Sequence, residues 1–407
     1  MTPDQRAAEF DAADPLAGYR ERFILPENVI YLDGNSLGAL PRATLEGVSR
    51  ELREAWGGGL IRSWNDAGWF EAPARVGAKI APLIGAAPHE VIACDSTSVN
   101  LFKLIAAALA MRPGRKVVLS EPGNFPTDLY MIAGLEAQGL AERRLAERER
   151  LAEALDGEVA LLLLTHVHFK TGALHDMAAL TRAAHEAGAL VLWDLSHSTG
   201  ALPVDLNAAG ADFAVGCGYK YLCGGPGAPA FAFVAERHQA DLQQPLTGWF
   251  GHAAPFAFSD DYEGAPGIAR MQCGTPPVLG LAALEIGVDL IAEIGVGRLY
   301  EKSQALSSFF LDCLKAHGVD LELVSPARSD ERGSQLSFRH PEAYAICQAL
   351  IARGVIGDFR APDVLRLGFA PAYLSFADMA AAARHLAEVL ATGEWQAAEF
   401  NRRAAVT

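Results

Sequence analysis

The sequence predicts an α/β fold, in which a large domain with a doubly wound, mainly parallel sheet is followed by a smaller α+β domain. The first observation behind this prediction is that helical patterns alternate with short apolar runs rich in Val and Leu, as in a parallel sheet buried on both faces. The second is the length of 407 residues, which suits two domains. The five apolar runs, each predicted to be a strand, are Lys116–Ser120, Ala160–Thr165, Ala189–Asp194, Phe213–Gly216 and Ala230–Val234.

One helix between these strands can be bounded from the sequence. Asp176 is a suitable N-cap, and Gly188 ends the helical pattern that follows it. The helix connects the runs that end at Thr165 and Asp194, so it forms a βαβ crossover, the unit of a doubly wound sheet.

The pattern changes after Pro276-Pro277. A long helical region from about Leu279 to His317 comes first, and shorter elements follow it. These are strands near Leu321–Val324 and Gln335–Arg339, a helix near Tyr344–Arg353, a strand near Leu365–Phe369 and a helix over Phe376–Leu390. We therefore predict an N-terminal wrapping segment over residues 1–45, a large α/β domain over 46–290 and a small α+β domain over 291–407.

Composition and charge restrict the function classes. Apolar residues make up 51% of the chain and charged residues 20%, which indicates a globular protein. The net charge of −15 argues against nucleic acid or an anionic membrane as the main partner. The six cysteines show neither a C-x-x-C pair nor a metal-type spacing, so we expect reduced thiols and no metal site. With no N-terminal signal pattern and no long apolar run, we expect a cytoplasmic protein.

The strongest chemical signal lies at the end of the third predicted strand. Trp193-Asp194-Leu195-Ser196-His197 places a carboxylate there, and Lys220 follows Asp194 by 26 residues in the glycine-rich stretch 216–227. A pyridoxal-phosphate (PLP) enzyme needs a carboxylate that keeps the pyridine nitrogen protonated and a lysine that bonds covalently to the cofactor aldehyde. Tyr219 beside the lysine can donate a hydrogen bond to phosphate. Taken singly, the two charged residues also fit a turn cap and a solvated lysine.

Three other segments each allow two interpretations. Thr97 and Ser98 precede a helical run, where hydroxyls and free N–H groups form either an anion site or an ordinary N-cap. Phe125 can stack on a pyridine ring while Asp128 anchors the polar edge of that ring, or the two belong to a turn with a core Phe. Arg366, in an otherwise apolar strand, needs either a substrate carboxylate or an internal ion pair.

The order and spacing of these segments make the chain similar to the kynureninase family, and the similarity covers nearly the whole chain. The motifs that carry it are Gly34-Asn35-Ser36-Leu37-Gly38, Phe125-Pro126-Thr127-Asp128, Trp193-Asp194-Leu195-Ser196-His197, Tyr219-Lys220-Tyr221-Leu222 and Gly248-Trp249-Phe250-Gly251-His252. The resemblance implies the PLP-dependent transferase fold type I of the aspartate aminotransferase superfamily. It also implies hydrolysis of L-kynurenine, or of 3-hydroxy-L-kynurenine, to anthranilate or 3-hydroxyanthranilate and L-alanine. That reaction belongs to tryptophan degradation and NAD biosynthesis.

The resemblance also implies residue roles and a homodimer with shared active sites. Lys220, Tyr219 and Asp194 are the implied catalytic residues. The implied cofactor-binding residues are Thr97, Ser98, Phe125, Pro126, Thr127, Asp128, Thr165, Asp194, His197, Tyr219 and Lys220, with Trp249 and Thr275 contributed by a partner subunit. The implied substrate-binding residues are Arg366 for the carboxylate, with Ser36 and Trp64 near the aromatic end.

Two alternatives stay open at this point. The first is another PLP reaction on the same fold, such as that of a cysteine desulfurase or an aminotransferase. Cys313 and Cys347 lie in predicted helices, whereas a desulfurase needs a nucleophilic cysteine on a mobile loop. The second is a PLP-binding protein without catalysis, although the sequence keeps each group that the chemistry requires. Cys223, where the family commonly has Asn, and His168-Phe169, where some bacterial relatives have Asn-Tyr, affect expectations about loop geometry and substrate preference only.

Overall fold

The computed structural model describes residues 1–403, and within them the strands form one large sheet, one smaller sheet and two strand pairs. The strands are β1 Phe23–Ile24, β2 Ile30–Tyr31, β3 Leu40–Pro41, β4 Val91–Ala93, β5 Val117–Ser120, β6 Glu142–Leu145, β7 Val159–Thr165, β8 Leu190–Asp194, β9 Phe213–Gly216, β10 Phe231–Val234, β11 Glu322–Leu323, β12 Gln335–Arg339, β13 Val355–Ile356, β14 Asp358–Arg360 and β15 Val364–Gly368. The α-helices are α1 Pro3–Ala13, α2 Arg42–Arg50, α3 Ser63–Asp66, α4 Ala72–Ile80, α5 Thr97–Ala110, α6 Pro126–Ala137, α7 Met177–Glu186, α8 Leu206–Ala209, α9 Glu236–Gln239, α10 Val278–Ile294, α11 Val296–Ala316, α12 Ala343–Ala352 and α13 Phe376–Thr392.

The large sheet has seven strands in the order β4-β10-β9-β8-β7-β5-β6. The five strands from β9 to β6 pair in parallel, and strands β5, β7, β8 and β9 are buried along their whole length. Their Val-, Leu- and Phe-rich sequences suit a sheet covered on both faces. The predicted α/β class with a mainly parallel sheet is confirmed.

One strand runs against this prediction. The run Ala230–Val234 was expected in a parallel sheet, but β10 is antiparallel to both β9 and β4. Parallel neighbours need a crossover that returns the chain to the same edge of the sheet, usually through a helix. Residues 217–230 contain no helix, so β10 runs back beside β9. The connection that reverses the chain is the segment that carries Lys220.

Two strands of the large sheet carry too little signal to be predicted. β4 has three residues, and β6 is an edge strand with the mostly exposed sequence Glu-Arg-Arg-Leu. β6 lacks the apolar run or the alternation on which a strand prediction depends, and the apolar run Val-Ile-Ala of β4 is shorter than the run of about 4–8 residues that indicates a buried strand.

The long helical region predicted over residues 279–317 is two helices. α10 ends at Ile294 and α11 begins at Val296, because Gly295 adopts a φ of 90° that breaks the helical backbone. The prediction of one continuous helix is therefore wrong at this residue.

The smaller sheet has the order β11-β12-β15-β14, and all of its pairs are antiparallel. Helices α11 and α12 pack with α13. The N-terminal segment adds to this part of the molecule, since α1 packs on α13 and β2 pairs with β13. The domain limits at residues 45 and 290 stay predictions.

The carboxyl ends of β4, β5, β7, β8 and β9 lie at the same edge of the large sheet, because β4 is antiparallel to β10 and so runs in the direction of β9. Ligands of open α/β sheets bind at this edge.

Within residues 1–403 we find no helix that is long and apolar enough to cross a bilayer. The cytoplasmic location remains a prediction from the sequence.

Candidate active site

Asp194 forms the floor of the site at the carboxyl end of β8. It is buried and pairs in register with Thr165, the last residue of β7. One carboxylate oxygen accepts the N–H of Ser196 at 2.8 Å. Burial raises the pKa of Asp194, and the cation of Lys220 opposes that shift. The carboxylate is therefore suited to a cationic group placed opposite it.

A second buried carboxylate, Asp128, belongs to the first turn of α6. Its Oδ2 is 3.4 Å from the amide nitrogen of Asn124, and burial raises its pKa, with Asp194 adding to the effect. In the described part of the chain, the Oδ1 atom of Asp128 and the hydroxyl of Thr165 are buried without a hydrogen-bond partner. Such atoms are rare in folded proteins and call for an explanation, which a bound polar ligand can supply.

Lys220 lies in the segment between β9 and β10 and is buried. Its Nζ is 5.7 Å from the centroid of the Phe125 ring, over the face of that ring, and 5.8 Å from the centroid of the Tyr219 ring. Pro126 and Thr127 follow Phe125 as the first two residues of α6, so they fix the direction of the chain beside the ring. The three predicted groups Asp194, Phe125 and Lys220 are thus brought together at one edge of the sheet.

The Gly34–Gly38 motif packs directly on the lysine segment. The N–H of Gly38 donates to the carbonyl of Tyr219 at 2.8 Å. A Cβ built on Gly38 would lie 2.2 Å from the carbonyl oxygen of Lys220, so only glycine permits this approach. The N-terminal segment therefore takes part in shaping the site.

His197 is buried near the same group. Its Nδ1 lies 3.2 Å from the side-chain oxygen of Gln335 in β12. Burial lowers the pKa of His197 well below its usual value, and the nearby Lys220 lowers it further. The imidazole is therefore uncharged at neutral pH, and it lines the site as a polar group rather than as a cation.

The anion site predicted at the start of α5 opens into a cavity of about 370 Å³. Ser96 is the N-cap, and its hydroxyl accepts the N–H of Val99 at 3.3 Å. Thr97 and Ser98 are the first two residues of the helix, whose N–H groups have no partner within it. Thr97, Tyr219 and Thr275 of this same chain line the cavity. The N-cap role belongs to Ser96, which leaves Thr97 for a ligand.

Arg366 lies in β15, buried, and forms the internal ion pair that was one of its two predicted roles. Its Nε donates to Asp358 at 2.8 Å, its Nη2 donates to the other oxygen of Asp358 and to the Ser36 hydroxyl at 2.8 Å, and its Nη1 donates to the Phe169 carbonyl at 2.7 Å. Asp358 also pairs with Arg360 at 2.7 Å. Four of the five N–H donors of Arg366 are therefore engaged by the protein.

Asp33 adds a second carboxyl to this group. Burial raises its pKa to about 7, with the charge of Asp358 as the next cause. Neither Asp33, Asp358 nor Arg360 was predicted as a site residue. Asp358 is the direct cross-strand partner of Arg366, a relation that depends on the β14–β15 register and leaves no motif in the sequence.

Trp64 and Trp249 lie in a cluster of aromatic rings around Phe250. Their ring centroids are 6.0 Å and 4.9 Å from that of Phe250. Trp69, Phe70 and Phe256 complete the cluster. Trp249 is 39% exposed and also lines a surface cavity together with Thr247, His252, Phe258 and Tyr262, among others. This chain therefore holds its own Trp64 and Trp249 together at the surface.

The site combines a lysine on a glycine-rich connection, a buried carboxylate that faces it, and an anion cavity at the start of a helix. This is the arrangement of a PLP-dependent enzyme. Solved structures agree on the fold. The apo cysteine desulfurase of Thermococcus onnurineus NA1 aligns with a TM-score of 0.80 at 18% identity, over 92% of this chain and 98% of that one. A C-DES mutant with glycine covalently linked to its PLP cofactor aligns with a TM-score of 0.79 at 17% identity, over 90% and 98%.

Sequence relatives define the family more closely. A family model described as the kynureninase C-terminal domain matches residues 299–386. The kynureninase of Burkholderia mallei (strain SAVP1) is 50% identical over 416 residues, and that of Pseudomonas fluorescens is 48% identical over 418, each covering 100% of both chains. The chain belongs to the kynureninase family. The predicted fold type I, the hydrolase class and the PLP cofactor are confirmed, and the residue roles stay predictions.

The desulfurase alternative is not supported by the cysteines named for it. Cys313 in α11 and Cys347 in α12 are both buried in helices, and burial raises the pKa of each thiol. A thiol that is buried and protonated is a poor nucleophile.

Among residues 1–403, no group of three His, Cys, Asp or Glu side chains is placed to hold a metal ion.

Proposed function

We propose that the residues around Lys220 hydrolyse L-kynurenine to anthranilate and L-alanine, with 3-hydroxy-L-kynurenine as a second substrate. Membership in the kynureninase family supports the reaction. One observation supports its location. Asp194, Asp128 and Thr165 are buried together, and both Asp128 and Thr165 have a polar atom without a hydrogen-bond partner. The carboxyl groups of Asp194 and Asp128 both interact electrostatically with Lys220.

The side chains of this group fit the ring of PLP. Leaving a buried polar atom unpaired costs about 1–3 kcal/mol, and both Asp128 Oδ1 and the Thr165 hydroxyl are in that state. A ligand with a polar edge would remove this cost. The face of Phe125 supplies the apolar surface for stacking. The cavity beside Thr97 supplies the space and the helix N–H groups that a phosphate needs.

Each catalytic residue has one task in this proposal. When bound, PLP supplies an electron-accepting ring that stabilises negative charge at the substrate's α-carbon. Asp194 holds a proton on the pyridine nitrogen, and Lys220 Nζ takes the proton from the α-carbon. Burial raises the pKa of Tyr219, so its hydroxyl stays protonated and can deliver a proton to the departing alanine. Water adds to the carbonyl carbon next to the aromatic ring, and the bond from that carbon to the β-carbon breaks, so that anthranilate leaves with the oxygen of the water and the electron pair stays on the β-carbon. The β-carbon takes the proton of Tyr219, a proton of the water restores the Tyr219 hydroxyl, and Lys220 returns its proton to the α-carbon.

We assign the substrate carboxylate to the exposed side of the Arg366 group. One N–H of Arg366 has no described acceptor, and Arg360, with 36% of its side chain exposed, extends the positive charge. The hydroxyl of Ser36 contacts both arginines, at 2.8 Å and 3.4 Å. Burial and Asp358 raise the pKa of Asp33 and so favour its neutral form, and two arginines against Asp358 then leave a cationic group for a carboxylate to neutralise.

We further propose a homodimer in which Trp64 and Trp249 serve the site of the partner, whereas Thr275, which lines the cavity beside Thr97 in its own chain, serves its own site. The aromatic cluster around Phe250 continues to the surface as Phe256, 64% exposed, and Phe258, 80% exposed. Large exposed apolar patches mark protein interfaces. A second apolar cavity, of about 450 Å³, shares Pro276 and Pro277 with the cavity beside Thr97. The apolar surface is therefore continuous with the phosphate side of the site.

The proposal is tested by mixing the PLP-loaded protein with L-kynurenine and following the fluorescence of anthranilate. We expect turnover by the natural chain and none by Lys220→Ala, because the variant lacks the group that bonds to the cofactor and moves the α-proton. Lys170→Ala is the matched control, since Lys170 Nζ only donates to the Ala361 carbonyl at 2.9 Å. Turnover by Lys220→Ala would remove Lys220 from its role. A natural chain that binds PLP covalently without releasing anthranilate would favour the non-catalytic alternative.

A further inference from the structure

Lys103 is a buried lysine for which the proposed reaction has no use. It lies in α5 with an exposed fraction of 0%, between the apolar residues Phe102 and Leu104. Burying an ammonium group is expensive unless it is paired and hydrogen-bonded. Its Nζ lies 2.6 Å from Asp95 Oδ2 and donates to the Met271 carbonyl at 2.5 Å. Asp95 lines the cavity beside Thr97, and Met271 directly precedes Gln272, which lines it as well.

Asp95 forms one of these walls. It lies two residues after the end of β4, precedes the N-cap Ser96 and has a φ of 50°, which Asp tolerates better than most residues. Its side chain is 26% exposed and lines the cavity together with Thr97 and Tyr219. A carboxylate on the wall of a phosphate cavity repels the phosphate unless its charge is neutralised. Lys103, behind the wall, is the group that neutralises it.

The second partner of Lys103 leads to the opposite wall. Met271 is followed by Gln272, Cys273, Gly274 and Thr275, all of which line the cavity. The Met271 carbonyl also lies 3.9 Å from the thiol of Cys94, the residue before Asp95. One ammonium group therefore connects the end of β4 with the segment that carries Thr275.

We propose that Lys103 is a positioning residue for the cofactor phosphate: it cancels the charge of Asp95 and fixes the Met271–Thr275 segment, so that the cavity accepts a dianion. This inference depends on the proposed function, which places the phosphate of PLP in this cavity. Lys103 lies behind Asp95 and acts through it, so its removal affects the phosphate rather than the covalent bond at Lys220.

The test compares the binding of PLP with that of pyridoxal, the same aldehyde without the phosphate, by absorbance titration at neutral pH. For Lys103→Met we expect the preference for PLP over pyridoxal to fall by about tenfold or more, because the unpaired Asp95 then repels the phosphate. Pyridoxal binding should change little. Lys116→Met is the matched control, since Lys116 Nζ only donates to the Gly139 carbonyl at 3.0 Å, away from the cavity.

The double variant Lys103→Met with Asp95→Asn separates charge from structure. It removes both charges with side chains of similar size, and we expect it to recover most of the natural preference for PLP. If the single variant does not fold, the double variant still tests the inference. A double variant that has lost the preference for PLP over pyridoxal would show that Lys103 does not act through Asp95. A single variant with the natural preference would overturn the inference as well. A natural chain that shows no preference for PLP would instead contradict the placement of the phosphate.

Discussion

Arg366 lies in a buried strand with four of its five N–H donors engaged by the protein. The sequence predicts that this arginine needs an anion, since a cation in an apolar strand cannot stay unpaired. It cannot predict which anion, because Asp358 becomes its partner only through the register of β14 and β15. The same limit applies to Asp128 and Thr165: their types and order are visible in the sequence, and their unsatisfied atoms are visible only in the folded interior.

The role of Arg366 gives a prediction at this scale. Arg366→Lys keeps a charge for Asp358 and removes the forked donor set, so we expect the KM for L-kynurenine to rise roughly tenfold to hundredfold, as for a lost hydrogen bond to a charged group. The absorbance of bound PLP should be unchanged. Steady-state kinetics and a PLP titration measure the two effects.

Arg332→Lys is the control for Arg366→Lys. Arg332 is equally buried in the same part of the molecule, and it donates to the carbonyls of Pro326 and Ala327 and to the Ser307 hydroxyl. We expect its KM to stay close to that of the natural chain. Equal KM values for all three proteins would exclude Arg366 from substrate binding.

The elements of the large sheet show where sequence patterns succeed and where they end. Five strands were predicted because each is a buried apolar run, and all five exist within a residue or so of the predicted bounds. The direction of β10 was missed because direction depends on the connection, and a glycine-rich connection of 14 residues without a helix looks much like a loop. The break at Gly295 was missed because a single glycine is tolerated in many helices.

Asp212 joins several of these elements and gives a prediction at their scale. It precedes β9, accepts the N–H of Val191 in β8 at 2.8 Å, and contacts His185 at 2.8 Å, Arg237 at 2.7 Å and His238 at 2.7 Å. These contacts lower its pKa to about 2 against the cost of burial. The carboxylate therefore stabilises the packing of α7 and α9 on the sheet.

For Asp212→Asn we expect the free energy of unfolding to be lower by about 2 kcal/mol at pH 7. The reason is that the pKa of Asp212 is about 2 in the folded state and about 4 in the unfolded state, so the charged carboxylate stabilises the fold. A lowered pKa stabilises the fold above the unfolded value and ceases to do so as pH falls through the folded value. About half of the difference between the variant and the natural chain should thus disappear by pH 3. Urea unfolding at pH 7 and pH 3 measures it.

The control for Asp212→Asn is Asp156→Asn, which changes an exposed carboxylate paired with Arg144. Surface ion pairs contribute little, so we expect almost no change at either pH. A difference at Asp212 that stays constant between pH 7 and pH 3 would contradict the assigned role of its charge.

At the scale of the whole molecule, no motif describes how the site residues are shared between subunits. The family motifs cover nearly the entire chain, so the fold class, the cofactor and the reaction could be predicted from the sequence. The resemblance also implies a cofactor role for Trp249 in the site of a partner subunit, and this residue lies with Trp64 in a partly exposed aromatic cluster. A sequence gives no direct signal of which subunit a site residue serves, because the two subunits of the proposed homodimer would share one sequence.

Mixed dimers of two inactive variants test this arrangement. In a heterodimer of Lys220→Ala and Trp249→Ala subunits, the site with an intact Lys220 receives an intact Trp249 only if the tryptophan comes from the partner. After random subunit exchange, half of the dimers are mixed and each has one complete site, so we expect roughly a quarter of the natural activity to return. Unmixed variants, incubated in the same way, give the baseline. If Trp249 acts within its own subunit, every site lacks one of the two residues, and the activity of the mixture stays at that baseline.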